Sequence, residues 1–312
     1  MIIGCKSTLF IAGIVTPATC NNAISAPPYY RYDNSYCSFR SSYYNTYSLN
    51  LKKKKKKKKR LQCACCSLVL PLLPFPLEQV LVPSETKTLH LYEARYLQLL
   101  EESVSRQKNF FVHFVLDPIV VGYATSGPSF AARYGCLSVI EKVERLDVGA
   151  LVSVRGVGRV TIAKFEQSEP YLKGMVLPLQ DNVPDDLSNI SKKVLELKKA
   201  LHSLNSLEIK LKAPKEAALQ TQTANSLSWS EKEFLVDCEK YFLPSIAERV
   251  SFAALQPISG TSQSELLELQ KEKLNAMDIK DTLERLEMSL KLANNNISVV
   301  AAKLAIQSLD LQ

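Results

Sequence analysis

The sequence predicts an α+β fold in which a small, partly closed β-barrel precedes an α-helical bundle. Two observations support this prediction. Residues 67–182 contain many short apolar segments that alternate in strand fashion between Gly, Pro and Asp turns, with a single early amphipathic helix. Residues 183–312 switch to the helical period, with apolar side chains three and four positions apart. A third observation separates residues 1–66, which hold six of the eight cysteines.

Residues 1–66 have the composition of a targeting segment. They contain twelve Lys or Arg and a single acid, and they are rich in Ser, Tyr, Asn and Thr. This bias predicts an organellar transit peptide, with the chloroplast stroma as the favoured destination and the mitochondrion as the alternative. The apolar run 9–15 leaves a secretory signal open, although cleavage there would leave a long polybasic tail outside the cell. We therefore expect a disordered basic leader that is not part of the fold.

Residues 52–60 are eight lysines followed by an arginine. Three interpretations are open: a nuclear address, an electrostatic arm for nucleic acid or anionic membrane, and a low-complexity run inside a segment that is removed. The third interpretation is favoured because the first predicted strand begins only after the run, at residue 67. Cys63, Cys65 and Cys66 resemble half of a metal site, but no second Cys/His pair stands at usable spacing, so no metal is predicted.

The charge of the chain is unevenly distributed. The formal net charge is +8, and residues 1–66 contribute +11, which leaves −3 on residues 67–312. A mildly acidic body has no general affinity for polyanions, so nucleic-acid binding is not expected of the mature protein. No apolar run reaches the roughly 20 residues needed to span a bilayer. Cys136 and Cys238 are too few for a disulfide framework, which favours a reducing compartment.

The strand half divides into short elements with one helix, over 93–105. Predicted strands cover 67–76, 80–82, 88–91, 110–116, 135–145, 151–155, 157–165 and 171–179. The first of these contains three prolines, which is typical of an edge strand. Gly127 and Pro128 mark a loop over 123–134.

Residues 154–160 read V-R-G-V-G-R-V, two glycines between arginines, as in a loop that holds a phosphate. Such a loop needs its glycines between a strand and the start of a helix, where amides converge on the anion. Here Gly158 continues into R-V-T-I-A-K-F, which alternates as a strand. Gly156 and Gly158 are therefore predicted to permit a tight turn or bulge between paired strands, and no cofactor is expected.

The helical half has recognisable helix starts. Ser262 and Glu265 form a predicted capping box, as do Ser230 and Glu233, with Trp229 and Phe234 at the adjoining staple positions. Predicted helices cover 188–204, 262–277, 279–294 with Asp278 as its cap, and 297–309, and a polar stretch covers 213–227.

Four segments together resemble a known family. They are L-P-L-L-P-F-P-L-E-Q-V-L-V-P (70–83), L-H-L-Y-E-A-R-Y-L-Q-L-L-E-E (89–102), Y-G-C-L-S-V-I-E-K-V-E-R-L (134–146) and V-R-G-V-G-R-V-T-I (154–162). In this order they resemble the Lon N-terminal domain, the substrate-binding region of the ATP-dependent Lon protease, which also occurs in stand-alone plant plastid proteins and in cereblon. Ala94 departs from the proline usual in that family. The resemblance implies a PUA-like β-barrel, here 67–182, followed by a helical subdomain, here 183–312.

The residues indicate no catalysis. No G-x-x-x-x-G-K-[ST] loop occurs, and no segment resembles the nucleophile region of the Lon protease. Ser84 and Lys87 form S-x-x-K, but they lie in a strand-to-strand loop, and neither S-D-N nor K-T-G follows. His90, His113 and His202 are isolated, so each is predicted to be a satisfied or surface side chain. We expect no enzyme, no catalytic residue and no cofactor.

The resemblance implies a non-catalytic module that binds polypeptide or a protein partner, such as a plastid protease or its clients, as an adaptor or client-recognition factor. Phe130, Arg133 and Tyr134 are the predicted partner-binding residues, because they join aromatic anchors to a charge in one loop. One alternative is a peptidase-related protein that acts with a Lon-type protease. A second is an RNA-binding PUA-like protein, and a third is a cereblon-like receptor, which lacks its cysteine tetrad here.

Overall fold

The computed structural model describes residues 67–119, 129–182, 186–211, 221–232 and 240–309. The predicted leader over 1–66 lies outside these residues. The strands are β1 (Leu68–Pro76), β2 (Thr86–Leu91), β3 (Phe110–Ile119), β4 (Ser129–Arg145), β5 (Ala150–Gln167) and β6 (Lys173–Pro178). A 3-10 turn covers Leu77–Gln79, and the helices are α1 (Ala94–Arg106), α2 (Leu187–Leu211), α3 (Gln222–Glu231), α4 (Ile246–Phe252), α5 (Gln263–Asp278) and α6 (Thr282–Leu309).

The six strands form one sheet that closes on itself in part. Their order is β2-β5-β4-β3-β1-β6, and β6 also pairs with β5, so five strands make a ring and β2 lies outside it. Strand β5 closes the ring because it pairs with β4 and, from Val160 to Gln167, also with β6. Its first part, from Ala150 to Arg155, pairs in addition with β2. The predicted α+β fold with a partly closed barrel and following helices is confirmed.

Strand β1 is one of the five strands of the ring, between β3 and β6, although its prolines predicted an edge strand. Residues 68–71 of β1 pair antiparallel with β6, whereas residues 72–76 pair in parallel with β3. In these registers each half of β1 pairs with a strand on one side only. Its other side needs no ladder hydrogen bonds there, as in an edge strand, and this is where prolines are tolerated.

Strand β5 is continuous where the sequence predicted two segments. Opposite β4, Leu137 pairs with Gly158 and Ser138 with Gly156, so the register shifts by one residue at Val157. This is the geometry of a β-bulge, and the chain does not reverse direction there. A Cβ on Gly156 would lie 2.2 Å from the Val82 carbonyl oxygen. The absence of a side chain lets the 82–85 loop pack directly on the strand.

Helices α2 and α6 form the main contact of the helical half. Leu197 and Leu201 of α2 are buried in one cluster with Leu286 and Ala293 of α6. Helix α6 is continuous over the point where two helices were predicted, since no Gly or Pro interrupts it. Its first turn is capped by Asp281, not by the predicted Asp278: Leu283 N donates to Asp281 Oδ1 at 2.8 Å.

The capping box predicted at Ser230 is wrong. Ser230 lies in the last turn of α3 and donates to the Leu227 carbonyl at 2.7 Å. Helix α3 begins instead after Thr221, whose Oγ1 accepts from Ala224 N. This helix was not predicted because its buried face includes Thr and Ser, so its apolar residues do not recur at helical spacing. The box at Ser262 is confirmed.

The helical half and the barrel share their hydrophobic cores. Trp229 of α3 and Phe242 pack into the cluster that fills one part of the barrel. Phe252 of α4 and Met277 of α5 belong to a second cluster, with barrel residues and α1. The strands are therefore covered by helices through buried apolar contacts.

Candidate functional site

Two of the three predicted partner-binding residues join the barrel to the end of α5. Arg133 of β4 donates to Asp117 Oδ2 of β3 at 2.7 Å, and its second terminal nitrogen lies 3.6 Å from Asp278 Oδ1. The Tyr134 hydroxyl donates to Asp278 Oδ2 at 2.9 Å. The Arg133 guanidinium also lies 4.6 Å from the centre of the Tyr134 ring. These contacts hold both side chains against the molecule.

Burial and the hydrogen bond to Asp278 raise the pKa of Tyr134 to about 12. The phenol is therefore protonated at neutral pH and available as the donor of this bond. Phe130, the third predicted residue, lies in β4 with its backbone opposite Pro118, and its side chain is outside the described part of the chain. Residues 123–128, half of the predicted loop, also lie outside the described part, and the other half, 129–134, belongs to strand β4 and is not a loop.

The two arginines of V-R-G-V-G-R-V point into the fold. Arg155 is 5% exposed, and its terminal nitrogens donate to the Ser84 carbonyl and to Asn225 Oδ1, each at 3.1 Å. It also pairs with Glu141 of β4 through Nε. Arg155 therefore ties β5 to the 82–85 loop and to α3, and its donors are used within the protein.

Arg159 is the centre of a buried ion cluster, which we call the junction cluster: Arg159, Asp181, Glu248 and Arg285. Arg159 donates to Glu248 Oε1 at 2.9 Å and to the carbonyls of Met277 and Ile279 at 3.0 and 2.7 Å. Asp181 accepts from both arginines. Two cations and two anions are thus enclosed between β5 and helices α4 and α6, where the pairing compensates for lost hydration.

The two acids of the junction cluster respond oppositely to their surroundings. Burial would raise the pKa of Asp181, but the hydrogen bond and charge of Arg285, with the charge of Arg159, outweigh it and lower that pKa. Burial dominates at Glu248, whose pKa is raised although Arg159 is close. Asp181 is consequently the carboxyl of the cluster whose ionised form the surroundings stabilise more.

The S-x-x-K residues do not contact each other through their functional atoms. Ser84 Oγ lies 2.6 Å from Ser226 Oγ of α3, whereas Lys87 Nζ donates to the Gln79 carbonyl at 3.1 Å. Between them in sequence, Glu85 forms a buried pair with Lys273 of α5 at 2.6 Å. The loop thus docks on two helices, and this arrangement does not activate Ser84 as a nucleophile through Lys87.

The histidines lie apart from one another. His113 is fully buried and stacks on Phe75 with ring centres 4.0 Å apart, and burial, followed by the charge of Lys87, lowers its pKa well below the usual value. His90 and His202 are exposed on β2 and α2. Within the described ranges no three His, Cys, Asp or Glu side chains come together as metal ligands would.

An exposed apolar surface lies at the corner where β2 meets the β4–β5 hairpin. We call it the hairpin corner and define it by Tyr92, Leu146 and Val148, which are 51%, 39% and 67% exposed. His90 connects Tyr92 with Val148, because its ring lies 5.6 Å from that of Tyr92 and its Nε2 lies 3.1 Å from the Val148 carbonyl oxygen. Large apolar side chains grouped at the surface mark candidate interaction sites.

Local sequence builds this corner. Gly149 adopts a φ of +86°, which lets the hairpin turn, and Leu146 N donates to its carbonyl at 3.1 Å. A Cβ at Gly149 would lie 2.2 Å from the Leu91 carbonyl oxygen, so the turn packs directly on the end of β2. Leu91 is buried, and strand alternation then places Tyr92 outward.

Charged groups border the hairpin corner. Arg145, the last residue of β4, lies 3.8 Å from Glu101 of α1, and both side chains are more than half exposed. One helical turn further along α1, Val104 is 47% exposed. The corner therefore combines an aromatic ring, aliphatic side chains and a charged rim. Aromatic and aliphatic side chains with a polar rim are the composition of protein–protein contact surfaces.

The fold is a partly closed barrel with helices packed on it, and the family to which it belongs follows from comparison with known domains. A family model described as the ATP-dependent protease La (LON) substrate-binding domain matches residues 69–295. The match covers well over half of the chain, and the chain belongs to the LON substrate-binding domain family. The domain found is the substrate-binding one, not the protease or ATPase domain.

Solved structures of Lon N-terminal domains are similar to the chain. One is a Lon N-terminal domain protein from Xanthomonas campestris, at 19% identity and a TM-score of 0.36, covering 70% of this chain and 95% of that one. Another is the N-terminal domain of a Mycobacterium avium complex Lon protease, at 16% identity and a TM-score of 0.40, covering 73% and 98%. The comparison with curated proteins gave no match.

Neither the junction cluster nor the hairpin corner was predicted from the sequence. The cluster joins residues 159, 181, 248 and 285, and no local motif marks such distant partners. The corner had a weak signal, because Asp147 and Gly149 mark a turn and Val148 stands between them as an apolar residue. An apolar side chain at the tip of a hairpin has no core to enter.

Proposed function

We propose that this chain is a non-catalytic polypeptide-binding module that serves as an adaptor or client-recognition factor in plastid proteostasis. The observation that carries the proposal is its membership of the LON substrate-binding domain family over residues 69–295. The plastid part rests on the composition of residues 1–66, which is that of a transit peptide. The partner would be a plastid protease or one of its clients.

The hairpin corner is the surface that best suits this function. Its side chains are exposed before any partner arrives, so binding does not require the core to open. Tyr92 offers a large amphipathic ring with few rotatable bonds, and Leu146 and Val148 offer contacts that do not select a particular sequence. The donors of Arg155 and Arg159 are turned inward, so apolar contact and not anion binding would drive recognition.

The test is binding of the full chain to fluorescently labelled β-casein, an unfolded polypeptide, measured by anisotropy at physiological salt. We expect the double variant Tyr92→Ser/Val148→Ser to bind at least tenfold more weakly, which is the loss typical of removing an exposed anchor pair. The matched control is Tyr241→Ser/Leu195→Ser, which removes an aromatic and an aliphatic side chain that are 58% and 54% exposed elsewhere. Equal weakening by both pairs would contradict the assignment of the corner.

The predicted surface at Phe130, Arg133 and Tyr134 is tested in the same assay. Phe130→Ala is the informative variant, because Tyr134→Ala would also remove the hydrogen bond to Asp278. If Phe130→Ala loses casein binding while Tyr92→Ser/Val148→Ser binds casein as the wild type does, the binding site lies on β4 and not at the hairpin corner. Degradation of casein in the presence of ATP by the purified chain would overturn the non-catalytic proposal, and salt-sensitive RNA binding by residues 67–312 would favour the RNA alternative.

A further inference from the structure

The end of helix α6 continues beyond the family domain. The match to the family ends at residue 295, whereas α6 continues to Leu309. Residues 297–309 read I-S-V-V-A-A-K-L-A-I-Q-S-L and contain a single charged side chain, Lys303. A helix surrounded by water normally carries charge on its outer face. Most residues of this segment are exposed, and yet only one of them is charged.

The segment has one face in the fold and another outside it. Val300 is fully buried and Leu304 is half-buried, so this face packs against the protein. On the opposite face Val299, Ile306 and Leu309 are 37%, 60% and 70% exposed, and Ala302 between them is also exposed. The inner face holds the helix as far as Leu304, and each of residues 305–309 is exposed. The outer face is a preformed apolar stripe.

The spacing of the outer stripe is that of a coiled-coil seam. Residues 299, 302, 306 and 309 are separated by three, four and three positions, which places them at successive a and d positions of a heptad. The a positions hold β-branched Val299 and Ile306, and the d positions hold Ala302 and Leu309. β-Branched residues at a with Leu at d favour two parallel strands, so the stripe is complementary to itself.

Charge also favours a second copy as the occupant. Lys303 is directed to the side of the stripe, where its Nζ donates to the Gly260 carbonyl at 3.0 Å. Two copies aligned in parallel therefore place no like charges in the seam. A charged partner, whether acidic or basic, would find no counter-charge along residues 297–309 except this lysine.

We propose that Val299, Ala302, Ile306 and Leu309 pair with the same residues of a second copy of the chain in a short, parallel two-stranded seam. The inner face has already ordered the helix, so pairing does not bear the cost of nucleating it. The seam is only about two heptads long, so the dimer is weak and dissociates on dilution, with a Kd on the order of tens to hundreds of micromolar. This inference does not depend on polypeptide binding by the hairpin corner.

The experiment is sedimentation velocity of the full chain under reducing conditions, from about 5 to 500 µM. We expect the weight-average sedimentation coefficient to rise with concentration for the wild type, and to stay at the monomer value for Ile306→Lys/Leu309→Lys. The matched control is Leu195→Lys/Leu187→Lys on α2, where the side chains are 54% and 69% exposed. A wild type that stays monomeric over this range, or a dimer that the α6 variant retains, overturns the proposal.

Cross-linking tests the register independently of the stability of the lysine variant. A photoreactive amino acid at Ala302 lies in the seam, and one at Ser308, which is also exposed, lies outside it. We expect a cross-linked band of doubled mass from position 302 and at least a tenfold weaker one from position 308. Equal bands overturn the parallel seam. A monomeric wild type that co-sediments with phosphatidylglycerol vesicles would assign the stripe to a lipid surface instead.

Discussion

The junction cluster and the hairpin corner reverse the usual distribution of side chains. The cluster encloses four ionisable groups, of which Arg159 and Arg285 have no exposed side-chain surface, whereas the corner exposes Tyr92, Leu146 and Val148. Strand β5 connects the two regions, because it begins at Ala150, directly after the hairpin turn of the corner, and carries Arg159 nine positions later. Residue type alone therefore does not separate inside from outside in this molecule, because charged side chains are enclosed at the junction and large apolar side chains are exposed at the corner.

The largest expected effect comes from breaking the junction cluster. Arg159→Met leaves Asp181 and Glu248 with one arginine between them in a buried setting, and removing one partner of such a group costs about 3–5 kcal/mol in the free energy of unfolding. Urea denaturation followed by circular dichroism measures it. The control is Lys142→Met, which breaks an exposed pair with Glu144 and should cost under about 1 kcal/mol. A loss below about 1 kcal/mol in Arg159→Met would refute the structural role.

A smaller effect, dependent on pH, is expected at Tyr134. Its folded-state pKa of about 12 lies above the ordinary value of 10.0, so the contact contributes fully below pH 10 and is lost as pH rises toward 12. Tyr134→Phe removes the hydrogen bond to Asp278 and should lower the free energy of unfolding by about 1 kcal/mol at pH 8. The difference from the wild type should shrink between pH 10 and 12. A difference that is constant to pH 12 would contradict the assignment of this titration.

Sequence periodicity was sufficient to predict the architecture, but it could not predict the junction cluster or the hairpin corner. Alternating strands and helical spacing indicated a barrel followed by helices, because each pattern is local. Asp181, Glu248 and Arg285 are too far from Arg159 in sequence for any spacing to connect them. Arg133 and Tyr134 have the composition of a binding anchor, but Asp278, more than 140 residues away, engages both. Only the packed chain distinguishes a free anchor from an engaged one.

The smallest expected effect on stability is at the hairpin corner, and it sharpens the contrast with the junction. Tyr92→Ser/Val148→Ser removes side chains that are already 51% and 67% exposed, so the free energy of unfolding should change by no more than about 0.5–1 kcal/mol. The same urea titration used for Arg159→Met measures it. A larger loss would mean that the corner supports the fold through Leu91 and Gly149. An unchanged fold means that any loss of casein binding by this variant reports on the surface itself.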